Sequence, residues 1–447
     1  MVINEETIFA LSSGTGRSGI AVIRLSGPDA LECVSCLTGI RGLPARKAVR
    51  ATFRDSVTGE KLDDGLVLTF PGPNSFTGED VAELHLHGSR AVLDDVMVVL
   101  SKQRGIRPAE AGEFSRRAFD NGKLDLTAVE GLSDLINAET TAQRRQAQRQ
   151  LSGELGALYD NWRNQLLEAI ALFETEIDFS DEELPSDILQ RVDALVCGLE
   201  AEIRDHLAVS ERGRRVRDGF YIVVLGAPNA GKSSFVNRLA CRDVAIVSEA
   251  AGTTRDVVEI HLDLGGYPVI IADTAGLRGN VEEIEAEGVR RALDRAGSAD
   301  FRMLLFDGTL LPELDIETAK FAREPDTLCV VTKLDLMENQ FKLPDAIRDA
   351  AMVSSKTEAG LAGLIERIRI EVDKRCTASA APALTRARHF LALQDCMASL
   401  SCYQGATEVE LAAEDLRLAA RALGKITGRV DVEDVLDIIF KEFCIGK

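Results

Sequence analysis

Gly226-Ala227-Pro228-Asn229-Ala230-Gly231-Lys232-Ser233-Ser234 fits the spacing of a phosphate-binding loop, G-x-x-x-x-G-K-S/T. An apolar β-rich run, Phe220 to Leu225, precedes it, and a helical pattern carrying Phe235, Val236 and Leu239 follows. Strand, loop and helix in that order let backbone N–H groups at a helix N-terminus face phosphate oxygens. Lys232 then reaches the terminal phosphates, and the Ser233 hydroxyl can ligate Mg²⁺; Asn229, Ala230, Gly231 and Ser234 complete the cradle. This stretch predicts an α/β nucleotide domain over residues 216–377.

The motifs downstream select the nucleotide. Val269 to Asp273 reads as a buried strand ending in Asp273-Thr274-Ala275-Gly276, a D-x-x-G that brings a carboxylate near Mg²⁺ and a backbone N–H to the γ-phosphate. Phe301 to Phe306 and Leu328 to Val331 are further strands, the second running into Thr332-Lys333-Leu334-Asp335. The Asp335 carboxylate can accept from both N1–H and the exocyclic amine of guanine; adenine would leave it unpaired. Ser354-Ser355-Lys356 fits the remaining base loop, and Leu361 to Val372 closes the domain as a helix. The position where Ras-type enzymes carry a water-orienting Gln is Leu277. Asn229 offers a side-chain carbonyl within the phosphate loop, and the polar loop Ser248 to Asp256 offers Thr254 to Mg²⁺. A second cation held between these loops could neutralise phosphate charge as an arginine finger does.

Working outward, 447 residues suggest about three domains. In residues 1–118 the match Gly14-Thr15-Gly16-Arg17-Ser18-Gly19 to a dinucleotide fingerprint is rejected, because β-rich Ile20 to Leu25 follows where a helix is required. A turn between two strands is expected instead. Leu66 to Phe70 and Val81 to His87 read as strands around a Pro/Gly/Asn loop, and Arg90 to Lys102 as a helix, giving an α+β domain. His85 and His87 alternate on one strand face and are read as a polar face rather than a metal site. Residues 119–215 and 378–447 carry helical periodicity: one long helix from Leu151 to Ile177, a second from Ile188 to Leu207, a capping box at Thr407 to Glu410, and a last helix bearing Val432, Leu436 and Phe440. Two amphipathic sets flanking the nucleotide domain imply one divided helical bundle. Arg212, Arg214, Arg215 and Arg217 read as a solvated linker before the first strand of the nucleotide domain, with phosphate contact the lesser alternative.

The net charge of −20 argues against a broad nucleic-acid face, so any RNA contact is local or shared with a partner. Nine cysteines, with one C-x-x-C at Cys33 and Cys36 and no second pair, fit dispersed reduced thiols. Met1 to Ala10 lacks a leader pattern and no run approaches the ~18 apolar residues of a membrane span, so a soluble cytoplasmic protein is expected.

The phosphate loop, Ala251-Gly252-Thr253-Thr254-Arg255-Asp256, Asp273-Thr274-Ala275-Gly276-Leu277-Arg278, Pro73 to Asp80 and the terminal Cys444-Ile445-Gly446-Lys447 together resemble the tRNA-modification GTPase MnmE (TrmE) family from the first strands to the last residue. The resemblance implies a multidomain chain: an α+β N-terminal domain that binds folate and dimerises, an α-helical bundle domain, and an inserted α/β P-loop (Ras-like) G domain. It further implies a K⁺-activated GTP hydrolase in which Asn229, Ser248, Ala250 and Thr253 hold K⁺, Ser233 and Thr254 hold Mg²⁺, and Glu285 positions the water. Arg24, Glu83, Lys123 and Lys447 stand at the family's folate contacts, and Cys444 at the cysteine required for modification. The implied reaction uses a tetrahydrofolate donor (5,10-methylene or formyl) to place an aminomethyl or carboxymethylaminomethyl group on C5 of the tRNA wobble uridine. A FAD-dependent, MnmG-like partner would join a homodimer in a heterotetramer or larger complex. Thr332 stands where the family usually has Asn; Ser248 and Ala250 stand where relatives can carry Thr and Ile, Ala250 coordinating through its backbone. A regulatory GTPase switch in ribosome assembly would use the same G domain without the folate residues or terminal cysteine.

Overall fold

A computed structural model describes residues 6–14, 16–178, 188–242, 244–246, 258–273, 299–337, 342–377, 382–406 and 408–430, together with 436, 439, 440, 443 and 446. It comprises two compact units, one of residues 1–133, 149–199 and 394–447, the other of 134–148 and 200–393.

The first unit opens with β1 (Thr7–Leu11) and β2 (Ser18–Ser26), antiparallel across the expected turn. With β3 (Val49–Arg54), β4 (Lys61–Phe70), β5 (Val81–Gly88) and β6 (Ile106–Pro108) they form a six-stranded sheet in the order β3-β4-β5-β2-β1-β6. Alternation sorts its faces. Ile23, Leu25, Leu84 and Leu86 point into a core with Val34 and Leu37 of α1 (Ala30–Thr38) and Val96 and Leu100 of α2 (Arg90–Ser101). Arg24, Glu83 and His85 alternate with that core and are only half-buried. His87 pairs with Asp63 at 2.8 Å, so the two histidines do not converge. Among the described residues no group of three or more His, Cys, Asp or Glu side chains could hold a metal.

Helices α3 (Glu113–Asp120), α4 (Leu126–Ile136), α5 (Thr141–Leu151), α6 (Glu154–Asp178) and α7 (Ile188–Ala208) follow. The expected helix from Leu151 starts instead at Glu154, because Gly153 takes a left-handed conformation (φ 84°) that breaks it from α5. Tyr159, Trp162 and Leu166 of α6 are buried, and the helix Val409–Thr427 packs along α6. The residue preceding that helix is Glu408, which makes no side-chain cap; Thr407 lies outside the described residues. Leu436, Ile439, Phe440 and Phe443 of the last segment cluster with Leu126 and Val129.

In the second unit β7 (Phe220–Gly226) lies in a sheet ordered β12-β11-β10-β7-β9-β8, with β8 (Val258–Leu264), β9 (Tyr267–Asp273), β10 (Phe301–Asp307), β11 (Thr327–Thr332) and β12 (Ala351–Met352). All pairs are parallel except β8 with β9. The unbroken apolar run of β7 has a direct cause: Ile222 and Val224 enter the core shared with α9 (Lys232–Ala240) and the helix Leu361–Cys376, while Val223 and Leu225 enter a second core on the other face.

The four arginines before β7 are not a solvated linker. They lie on α8 (Ser210–Asp218). Asp300 Oδ1 accepts from Arg214 Nη2 (3.1 Å) and Arg215 Nε (2.8 Å), and Asp300 Oδ2 from the Tyr221 amide (3.1 Å). Arg217 donates to the Thr385 carbonyl (3.0 Å) and pairs with Asp134. Arg214, Arg215 and Arg217 have each found a fixed acceptor on packing, and Arg212 stays exposed.

Candidate functional site

The carboxyl ends of β7, β9, β10 and β11 deliver Gly226, Asp273, Asp307 and Thr332 to one edge of the sheet, where parallel α/β sheets bind ligands. A Cβ at position 226 would stand 2.5 Å from the Leu305 carbonyl, so only glycine lets the loop leave β7 this close to β10. Gly231 caps α9 in a left-handed conformation (φ 88°) without a side-chain bond, leaving the first N–H groups of the helix for an anion. Asn229 is also left-handed (φ 64°), a conformation asparagine tolerates.

Lys232 is nearly buried, and its Nζ donates to the carbonyls of Gly226 (2.7 Å) and Ala227 (2.9 Å), which holds the ammonium across the loop. Burial pulls its pKa below the usual lysine range, against the opposing pull of Asp273 and Asp315. Ser233 and Ser234 open α9 with exposed side chains, and buried Asp273 ends β9 beside β7. A hydroxyl and a carboxylate, both hard oxygen donors, fit Mg²⁺.

A cavity of about 530 Å³ lies between α9 and the base loops, lined by Gly231, Ser234, Thr332, Lys333, Asp335 and Lys356 among others. Ser354 Oγ donates to Asp335 Oδ1 at 2.5 Å, which with Lys356 nearby holds the carboxylate below its usual range. Fixed by one oxygen and exposed to solvent, Asp335 can offer its carboxylate to guanine donors. Thr332 fills the position usual for Asn: its buried hydroxyl contacts the Ala230 carbonyl at 2.7 Å and the Phe306 carbonyl at 3.1 Å, tying the base loop to the phosphate loop. Lys333, left-handed at φ 58°, pairs with Asp307 at 2.6 Å. Burial pushes the Asp307 carboxyl up, but Lys333 and Thr309 outweigh it and hold the group below its usual range. Arg238 donates to the Ser355 carbonyl (2.9 Å) and pairs with Glu358, fastening the last base loop to α9.

Sequence reasoning missed Asp307, Arg238 and Glu358. A carboxylate ending a parallel strand could have flagged Asp307; the other two depend on the approach of two distant segments. Ser248, Ala250, Thr253, Thr254, Thr274, Ala275, Gly276, Leu277 and Glu285 lie outside the described residues, as do Cys444 and Lys447.

A second cluster occupies the first unit. Arg24 Nε and Nη2 donate to Glu83 Oε1 at 3.0 and 2.8 Å, a pairing set by the register of β2 against β5. The guanidinium lies 5.6 Å from the ring centre of Phe76 and 6.0 Å from that of Phe114. Phe76 belongs to the loop of residues 71–80, and Lys123 borders that loop, its Cε 3.2 Å from where a Cβ on Gly78 would stand. Buried Arg117 braces the loop through Glu79 (3.0 Å) and is itself held by Glu113 of α3 (2.9 Å). The tail arrives here too: Ser12 Oγ donates to the Gly446 carbonyl at 2.8 Å, next to the end of β1.

Comparison with known proteins now decides the family. Residues 126–444 match the MnmE helical domain, and residues 7–123 the GTP-binding protein TrmE N-terminus. The chain belongs to the MnmE family. It is 55% identical to the tRNA modification GTPase MnmE of Paramagnetospirillum magneticum over 443 residues, covering 99% of this chain and 100% of that one. The MnmE of Parvibaculum lavamentivorans is 52% identical, covering 99% and 100%. A human mitochondrial 5-taurinomethyluridine-tRNA synthase subunit is 47% identical, covering 99% of this chain and 93% of its own. The two matched ranges together contain both clusters. No described helix is long and apolar enough to cross a membrane.

Proposed function

We propose that this chain hydrolyses GTP to drive modification of C5 of the tRNA wobble uridine, with a tetrahydrofolate one-carbon donor and a FAD-dependent, MnmG-like partner. Three functional domains carry this: 1–118 for folate and homodimerisation, 119–215 with 378–447 for the helical scaffold, and 216–377 for GTP. The setting is cytoplasmic.

The observation that supports the reading most is the hydrogen bond from Ser12 to the Gly446 carbonyl, which sets Gly446 against the domain that carries Arg24 and Glu83. When bound, Mg²⁺ and K⁺ neutralise phosphate charge and the folate supplies the one-carbon unit. Lys232 and the α9 N-terminus hold the phosphates, Ser233 and Thr254 hold Mg²⁺, and Asn229 with Ser248, Ala250 and Thr253 holds K⁺. Asp335 selects guanine, and Glu285 orients water in place of the Gln that Leu277 replaces. Arg24, Glu83, Lys123 and Lys447 bind the folate, and Cys444 serves the modification chemistry. Hydrolysis changes conformation rather than making the carbon bond.

The test is Cys444→Ser, read by GTPase rate in potassium and by wobble-uridine modification in cells. Normal hydrolysis with lost modification is expected; unchanged modification would sink the reading. Hydrolysis equally fast in sodium and potassium at matched ionic strength would remove the K⁺ role.

A further inference from the structure

The chain carries 20 more acidic than basic groups, yet no Asp or Glu occurs between Glu32 and Asp55, and Arg41, Arg46, Lys47, Arg50 and Arg54 fall within that gap. β3, which holds the last two, is an edge strand of the first unit's sheet. Ala51 and Phe53 turn into the core, and Arg50 and Arg54 alternate with them outward. All five cations are exposed, and among the described residues none has a carboxylate oxygen within 4.0 Å. Arg46 and Arg54 reach only backbone carbonyls, of Asn74 and Gly59. The nearest acid on the outward face of β4, Asp64, is already engaged by Lys61 at 2.5 Å and Thr52 at 2.6 Å.

We propose that this β3 edge is the local surface on which the chain docks the phosphate backbone of tRNA. It rests on the tRNA-modifying function proposed above. Edge strands often carry charge to prevent pairing with another chain, and lysine is the usual choice. Four of the five cations are arginines, whose planar fork matches phosphate oxygens and is weakly hydrated. At a rise of about 3.3 Å per strand residue, Arg50 and Arg54 stand about 13 Å apart, room for more than one backbone phosphate. Arg50 and Arg54 lie on the face of β3 opposite buried Ala51 and Phe53, so docking needs no refolding. It also reconciles an acidic total with an RNA substrate, because a local basic edge can attract the backbone that an acidic surface repels.

The experiment uses the full chain and an unmodified tRNA transcript, with affinity measured from 50 to 200 mM KCl. The triple variant Lys47→Glu, Arg50→Glu, Arg54→Glu is expected to weaken binding at least 10-fold and to lower the log–log salt slope by about two to three, as three lost phosphate contacts require. The milder triple Gln variant should fall between it and wild type, and GTPase rates should not change. Wild-type affinity and slope in both variants would overturn the proposal, as would loss of an acidic protein partner with tRNA binding intact. Failure of the wild-type chain to restore wobble-uridine modification in cells would instead sink the functional reading, independently of this edge.

Discussion

Thr332→Val removes one hydroxyl and keeps the side-chain shape, so it isolates the link between the base loop and the phosphate loop. The Thr332 hydroxyl is buried, 2.7 Å from the Ala230 carbonyl, two residues before Lys232. A buried hydrogen bond contributes about 0.5–1.5 kcal/mol, and leaving a buried carbonyl unsatisfied costs about 1–3 kcal/mol. We therefore expect the variant to lose about 1–2 kcal/mol of stability, read as a lower urea midpoint with an unchanged m-value. Because the lost bond orders the loop that receives phosphate, part of that cost should reappear in binding. If half of it does, at 1.4 kcal/mol per factor of ten, GDP and GTP affinity should fall about 2- to 5-fold, measured by titration with a fluorescent guanine nucleotide. Thr332→Asn, which restores a donor of longer reach, should recover most of the affinity. A Val variant that matches wild type in both midpoint and affinity would refute the claim that Thr332 carries this link.

Asp335→Asn should lower GTP affinity by at least about 100-fold while improving that for XTP, because the amide presents a donor where guanine needs an acceptor; competition between the two nucleotides reads it. Asp300→Ala should cost about 2–3 kcal/mol in denaturant unfolding, below the value for a fully buried pair because Arg214 and Arg215 still touch water; a loss under about 0.5 kcal/mol would mean that α8 is held by packing alone. His206 is buried among helices of the second unit, and burial, then His389, lowers its pKa to about 4. The unfolded chain binds the proton more readily, so this stability is complete above pH 6.5 and is lost as pH falls toward 4. The loss should reach about 3 kcal/mol, and His206→Gln should flatten the pH profile of the urea midpoint over that window.

Much of the nucleotide domain was legible because its signals are local. A phosphate loop needs its glycines, lysine and serine within nine consecutive residues, and buried parallel strands such as Phe220 to Leu225 announce themselves as unbroken apolar runs. β8 was not read as a strand: its polar positions Glu259, His261 and Asp263 alternate on an edge strand and dilute the signal. The arginines of α8 were misread because charge along a chain does not disclose its partner, and Asp300 lies 86 and 85 residues from Arg214 and Arg215. The capping box at Thr407 to Glu410 located a helix start correctly, yet its first described residue, Glu408, makes no cap bond.

By itself, then, the sequence determined the order of the elements, the loop that receives phosphate and the carboxylate that can read guanine, because each is written in residues within a few positions of one another. Tertiary structure decided which distant residues complete them: Thr332 reaching Ala230 across 102 residues, and Ser12 holding Gly446 across 434. Such contacts follow from strand order and from the packing of buried faces, which a linear pattern does not encode.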